Sequence, residues 1–148
     1  MSVIFSRSCE YAIQSVLFLA KKEGEKTVLL REISESLDIP YHFLSKVMQL
    51  LSRHGIVHSQ KGANGGFTLN RSAHDITLAD IVEAVDGASY RKSCVLGFPE
   101  CNAENACPVH NQWKDARSII ETMLGQKDIE QLGKKLDKKL LYIKITRK

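Results

Sequence analysis

The chain has 148 residues, 43% of them hydrophobic and 26% charged, which suits one compact domain or two very small ones sharing a core and excludes a large multidomain enzyme. Its longest uninterrupted apolar run, Val16 to Ala20, has five residues, far short of the roughly 20 that a membrane span needs; with no signal-like start in view, a cytoplasmic protein is expected. The net charge of +4 is unevenly spread: no acidic residue falls between Asp38 and Asp75, whereas Lys46, Arg53, Lys61 and Arg71 lie inside that stretch. Such a stretch suits a polyanion such as nucleic acid and equally suits a solvated basic face, so the local patterns must decide.

Ile13, Val16, Leu17 and Ala20 recur at i, i+3, i+4 and i+7 and predict a first helix from near Ser8 to near Gly24. Leu30, Ile33 and Leu37 mark a short second helix. Asp38-Ile39-Pro40 interrupts it, because proline lacks the amide donor that propagation requires, yet Pro40 can open the next helix. Leu44, Val47, Met48 and Leu51 form the buried stripe of that third helix, which stops at Gly55. Two short helices across a tight break read as helix-turn-helix. The opposite face of the third helix carries His42, Ser45, Lys46, Gln49 and Arg53, all able to donate hydrogen bonds outward into a major groove or to phosphate.

Residues 56–60 and 67–70 read as strands joined by Lys61-Gly62-Ala63-Asn64-Gly65-Gly66, a β-hairpin wing whose glycines permit positive φ and close backbone approach. Thr77 and Asp80 make a capping-box start for a fourth helix, with Leu78, Ile81, Val82 and Val85 on its buried stripe and Gly87 at its end. A winged helix-turn-helix domain is thus expected over 1–87. Periodicity fails from Ala88 to Ala106, and the loop 88–107 holds three of the four cysteines close to a histidine, a pattern that in a cytosolic chain favours metal over disulfide. Pro108 suits the first turn of a long helix reaching about Leu124, in which Val109, Trp113, Ala116, Ile120 and Met123 are spaced as a seam for a second subunit. The competing reading packs that seam against the chain's own first helix. A symmetric homodimer is favoured, with 108–133 as dimerisation region and 134–148 as a solvated, partly disordered basic tail. The fold class expected is mainly α with a small β-hairpin wing: a winged helix-turn-helix domain plus a long dimerisation helix.

Gly62, Gly65-Gly66-Phe67-Thr68-Leu69 and the run Ile76 to Gly87 together resemble the Rrf-two family of bacterial winged-helix transcription regulators. The opening Glu10-Tyr11-Ala12 and the Ile39-Pro40 turn extend the likeness over roughly Phe5 to Leu124. The resemblance implies a homodimer on a palindromic double-stranded DNA operator, most simply as a repressor, with the third helix in the major groove and the wing in the minor groove. Those roles would fall to Tyr41, His42, Ser45, Lys46, Gln49 and Arg53, and to Lys61, Gly62, Asn64, Gly65 and Gly66 on the wing.

Family members that carry iron–sulfur clusters hold them through three cysteines in the loop before the dimer helix, and Cys94, Cys101 and Cys107 stand there, spaced C-x6-C-x5-C. The first gap is one residue longer than in the cluster-assembly regulators of the family. Soft thiolates match iron, and Cys107 would gain from the helix dipole after Pro108. The stretch Cys107 to Asp115 resembles C-x-x-H-x-x-W-x-D of those regulators, which makes His110 the leading fourth ligand. The nitric oxide sensors use an acidic residue of the first helix across the dimer, which makes Glu10 the runner-up. A two-iron cluster is favoured over a four-iron one. The same donor set also suits structural zinc, and only the resemblance favours iron; metal-free sensing thiols and an iron–sulfur carrier are the further alternatives. Cys9 is expected to pack, Trp113 to anchor the core or dimer, and His42, His54, His58 and His74 to lie at the surface, since their spacing matches no metal motif. No paired carboxylates, phosphate-cradling loop or catalytic triad order points to an enzyme.

Overall fold

The computed structural model describes residues 4–24 and 27–136. The elements follow in the order α1 (Arg7–Lys21), α2 (Leu30–Leu37), α3 (Tyr41–Arg53), β1 (Val57–Gln60), β2 (Gly66–Leu69), α4 (Leu78–Val85) and α5 (His110–Gln126), with short 3-10 turns at Ala73–Asp75 and Ser89–Arg91 and a further helical stretch over 129–136. The Ser6 side chain caps α1 by accepting from the Cys9 amide at 3.0 Å, and the Ser6 amide donates to Asp86 Oδ2 at 2.9 Å. The start of α1 is therefore tied to the end of α4.

The break between α2 and α3 has two causes. Pro40 precedes the first residue of α3, as expected, but the chain turns at Asp38, whose φ of 55° is left-handed and lets the Ile39 amide return to the Ser34 carbonyl at 3.0 Å. Ser34 Oγ then donates to the Ile39 carbonyl at 2.6 Å, and the Ile39 side chain is buried. The helix-turn-helix is thus locked by residues of α2 as well as by the proline.

The core gathers Val16 and Leu19 of α1, Ile33 of α2, Leu44, Met48 and Leu51 of α3, and Ile76 and Ile81 around α4. Apolar residues at helical spacing on each element meet on α1, which lies against α2, α3, α4 and β2. The wing pairs antiparallel, Val57 with Leu69 and Gln60 with Gly66, one residue later at its start and one earlier at its return than the sequence suggests. Val28 adds a bridge to Phe67 through two backbone bonds of 2.9 and 2.8 Å, so the hairpin is sewn to the segment between α1 and α2. The Thr77–Asp80 capping box forms.

The long C-terminal helix ends within two residues of its expected limit near Leu124, and a second helix that the sequence reading did not foresee follows it. α5 ends at Gln126, Lys127 is extended, Asp128 bridges Thr77, and residues 129–136 are helical again. Ile129 is fully buried in the main core, its amide bonded to the Ile76 carbonyl at 2.8 Å. The boundary drawn at 133/134 therefore falls within a helix, and the tail from 137 lies outside the described residues. On α5, Leu124 is buried against Cys9 and Val82 with Ile120 packed beside it, whereas Ile119 is 71% exposed and Met123 50%.

Candidate DNA-binding face and metal site

α3 is amphipathic in the sense needed for recognition. Leu44, Val47, Met48 and Leu51 are buried, which turns His42, Lys46, Gln49 and Arg53 outward, where they are exposed, and leaves Ser45 half-buried. Tyr41, the first residue of α3, is exposed beside His42. Phe43 is also exposed at this end, edge-on to Tyr11 with ring centres 6.4 Å apart. Sequence reading missed it because a lone aromatic beside a buried stripe gives no outward signal. Among the described residues no ion pair engages Lys46, Arg53 or Lys61, so their charge is available to a polyanion, whereas Arg71 is paired with Asp80 at 3.8 Å.

The wing glycines divide into two kinds. Lys61, Gly62, Ala63 and Asn64 form the exposed tip, with Gly62 at φ 102° accepting the Gly65 amide at 2.9 Å. Gly65 and Gly66 lie below it, half-buried. A β-carbon on Gly66 would sit 2.6 Å from the Val28 carbonyl oxygen, and one on Gly65 would sit 2.7 Å from that of Gln60. Thr27 Oγ1 donates to the Asn64 carbonyl at 2.8 Å. The tip is thus positioned for a groove, and the two lower glycines serve the close approach that positions it.

The cysteine loop runs between α4 and α5 and is fastened by Trp113, whose Nε1 donates to the Ser93 carbonyl at 2.8 Å. This fastens the residue next to Cys94, which is 7% exposed, to α5. Burial pushes the Cys94 thiol up, but the amides of Leu96, Phe98 and Gly97 and the side chain of Cys107 hydrogen-bond to it and bring it below its ordinary value. Cys101 Sγ lies 3.6 Å from His110 Nδ1, and Arg117, two turns further along the same face of α5, approaches that sulfur at 3.9 Å. All cysteines are free thiols. The predicted donors are therefore brought together as two pairs, Cys94 with Cys107 and Cys101 with His110, while no three of them come within 4.8 Å of one another. This donor set, three thiols and an imidazole from one loop and the first residue of α5, fits a thiophilic metal or an iron–sulfur cluster. Glu10 stands in the first turn of α1, paired with Arg7 at 3.6 Å. Cys9 is fully buried, as expected of a packing residue, and burial together with Asp86 and Glu10 pushes its thiol up to about 12.

A helix-turn-helix with an acid-free outer face, followed by a glycine-tipped hairpin sewn to the same core, defines a winged-helix DNA-binding protein. The sequence profile described as "Rrf2: Iron-dependent Transcriptional regulator" matches residues 5–135, and the chain belongs to that family. IscR of Xenorhabdus nematophila, an HTH-type transcriptional regulator, is 32% identical over 124 residues, 84% of this chain and 75% of that one. Among solved structures, CymR, the global cysteine regulator of B. subtilis, superposes with a TM-score of 0.78 at 25% identity, covering 92% of this chain and all of that one. IscR of T. potens superposes with a TM-score of 0.73 at 25% identity over 93% and 91% of the two chains. The protein is therefore a transcription regulator of the winged-helix type rather than an enzyme, and no helix among the described residues is long and apolar enough to cross a membrane.

Proposed function

We propose that the protein is a homodimeric, cytoplasmic repressor whose affinity for a palindromic operator is set by an iron–sulfur cluster held by Cys94, Cys101, Cys107 and His110, with Glu10 as the alternative fourth ligand. The domain limits that go with this reading are 1–87 for DNA binding, 88–107 for the cluster loop and 108–133 for dimerisation. The observation that carries it is the 3.6 Å approach of Cys101 Sγ to His110 Nδ1, on a loop that also holds Cys94 and Cys107 and that Trp113 fastens to α5. When bound, the cluster would supply iron- and redox-responsive chemistry at these residues. The chain's own residues carry the consequence onward: α5 rests through Leu124 on Cys9 of α1 and Val82 of α4, and α1 rests on α3. A shift of α5 thus reaches the recognition helix through packed side chains. In the dimer, two copies of α3 and of the wing tip would face successive grooves, with Tyr41, His42, Ser45, Lys46, Gln49 and Arg53 toward the major groove and Lys61, Gly62 and Asn64 toward the minor.

The test is anaerobic purification followed by an absorbance spectrum with iron, acid-labile sulfide and zinc assays on one sample. Iron and sulfide in the wild type, their loss in Cys101→Ala, and a changed affinity for DNA selected from a random pool support the reading. Spectra of the His110→Ala and Glu10→Ala variants then identify the fourth ligand. Stoichiometric zinc without sulfide makes the site structural, no metal after reconstitution leaves sensing thiols, and equal DNA affinity of holo and variant protein refutes the switch.

A further inference from the structure

The turn before α4 and the segment after α5 meet in a cluster of ligating side chains that belongs neither to the DNA face nor to the cysteine loop. His74 places its Nδ1 3.3 Å from Asp128 Oδ2 and 3.9 Å from Glu130 Oε2, and the three donor atoms all lie within 4.8 Å of one another. Each carboxylate is held in place by its other oxygen. Asp128 Oδ1 accepts the Gln131 amide at 2.8 Å, and Glu130 Oε1 accepts from Lys134 Nζ at 2.8 Å. The backbones that present them are themselves joined, by the Thr77–Asp128 bridge and by the Ile129 amide on the Ile76 carbonyl at 2.8 Å. The donors are therefore preorganised: one oxygen of each carboxylate fixes its side chain, and the free oxygen faces the imidazole.

The spacing is close to that of a coordination polyhedron. Ligands bound to zinc at about 2.0–2.2 Å in a tetrahedron are separated by about 3.3–3.6 Å; of the two nitrogen-to-oxygen separations here, 3.3 Å lies at the lower end of that range and 3.9 Å about 0.3 Å beyond it, a gap that a small rotation of the exposed His74 side chain closes. Among the described residues Lys134 is the one lysine or arginine paired with the two carboxylates, so a local negative charge is left for a divalent ion to neutralise. The imidazole donor favours a transition ion over magnesium or calcium. His74 is the exposed member, its side chain 71% accessible, and Asp128 the enclosed one at 11%, so an ion can enter from solvent and settle against a fixed carboxylate.

We propose that His74, Asp128 and Glu130 form a second metal site, for a divalent transition ion of the zinc class, with water completing the coordination. Bound there, the ion clips the 129–136 helix to the turn that leads into α4, and so fastens the chain beyond α5 to the DNA-binding domain. Sequence spacing hides the site because its ligands lie 54 and 56 positions from His74 along the chain.

The test titrates full-length, reduced, metal-free protein with cobalt(II), reading near-ultraviolet thiolate-to-cobalt charge transfer for the cysteine loop and equilibrium dialysis for total metal. The expected result is one equivalent of bound metal more than the charge-transfer band accounts for. That equivalent is lost in His74→Ala and in Asp128→Asn, which keeps the capping oxygen and removes the charge, while the band is unchanged. Should Asp128→Asn melt low without metal, His74→Ala, at an exposed side chain, decides alone. Binding no greater than the band, or an extra equivalent that survives His74→Ala, overturns the proposal. The band reports separately on the cysteine site, so the two readings fail independently.

Discussion

Replacing Gly66 by alanine separates the two roles that glycine plays in the wing. Gly62 and Gly66 both have positive φ, 102° and 148°, but nothing lies within 4 Å of a β-carbon built on Gly62, whereas one on Gly66 meets the Val28 carbonyl oxygen at 2.6 Å and its carbon at 2.9 Å. The backbone penalty alone is on the order of 1–2 kcal/mol at either position. At Gly66 the clash comes on top, because the Val28 carbonyl cannot retreat without loosening the 2.8 Å bond it accepts from the Phe67 amide. Gly66→Ala should therefore cost about 3 kcal/mol or more and Gly62→Ala about 1–2 kcal/mol. For a chain of this size each kcal/mol lowers Tm by roughly 2–4 °C, so the expected drops are about 6–12 °C and about 2–8 °C. Urea titration and thermal melting by circular dichroism read both, and DNA affinity by anisotropy should fall further for Gly66→Ala, since displacing Phe67 also displaces the tip. If Gly66→Ala melts no lower than Gly62→Ala, the bridge to Val28 does not hold the wing.

Lys46→Ala should weaken DNA binding and, with two copies in the proposed dimer, make the slope of log affinity against log salt less steep by about 1.8, at about 0.9 per phosphate contact; an unchanged slope shows that Lys46 faces no phosphate. Thr77→Ala removes one half of the capping box and should cost about 1 kcal/mol in a urea melt, with Thr77→Ser restoring it; equal loss in both variants refutes the cap. Cys9 keeps its proton in the folded chain to about 12 against an ordinary 9.0. The unfolded chain thus binds fewer protons between those values, and stability falls as pH rises from about 9 toward 12. Cys9→Ala should flatten that alkaline arm of the urea-midpoint profile, and an identical arm in the variant would place its cause elsewhere.

The DNA-binding half was legible because its signals are local. The stripes of α1 and α3, the Thr77–Asp80 box and the glycines of the wing each report on neighbours in sequence, and each element stands within a few residues of its expected place. The turn at Asp38 was read through Pro40 alone, since a left-handed aspartate leaves no mark beyond being an aspartate. The cysteine loop was legible as a set of donors but not as a geometry: the pairing of Cys101 with His110 depends on where Trp113 fastens to Ser93. The end of α5 was legible to within two residues, but the 129–136 helix was not, because what places it is a long-range bridge from Asp128 to Thr77.

The same long-range packing redefines the surface through which two chains would meet. The expected seam of Val109, Trp113, Ala116, Ile120 and Met123 is split in the folded chain: Trp113 turns to the loop and Ile120 to Cys9 and Val82, while Ala116 and Met123 remain outside, joined there by Ile119, which the seam did not include. These three recur at i, i+3 and i+7, a single ridge on the face of α5 away from Leu124. Ile119 at 71% and Met123 at 50% exposure are large apolar side chains that a monomer leaves in water. If this ridge is the dimer contact, Ile119→Glu with Met123→Glu places like charges face to face across a two-fold axis and should yield a monomer by light scattering at concentrations where the wild type is dimeric. Both positions are exposed, so the melting temperature of the isolated fold should move little. Operator affinity should drop with the dimer, because a palindromic site rewards two recognition helices held at fixed spacing. A double variant that remains dimeric would refute the α5 ridge and transfer the interface to another surface, of which the exposed Val95, Leu96 and Phe98 of the cysteine loop form the next apolar group.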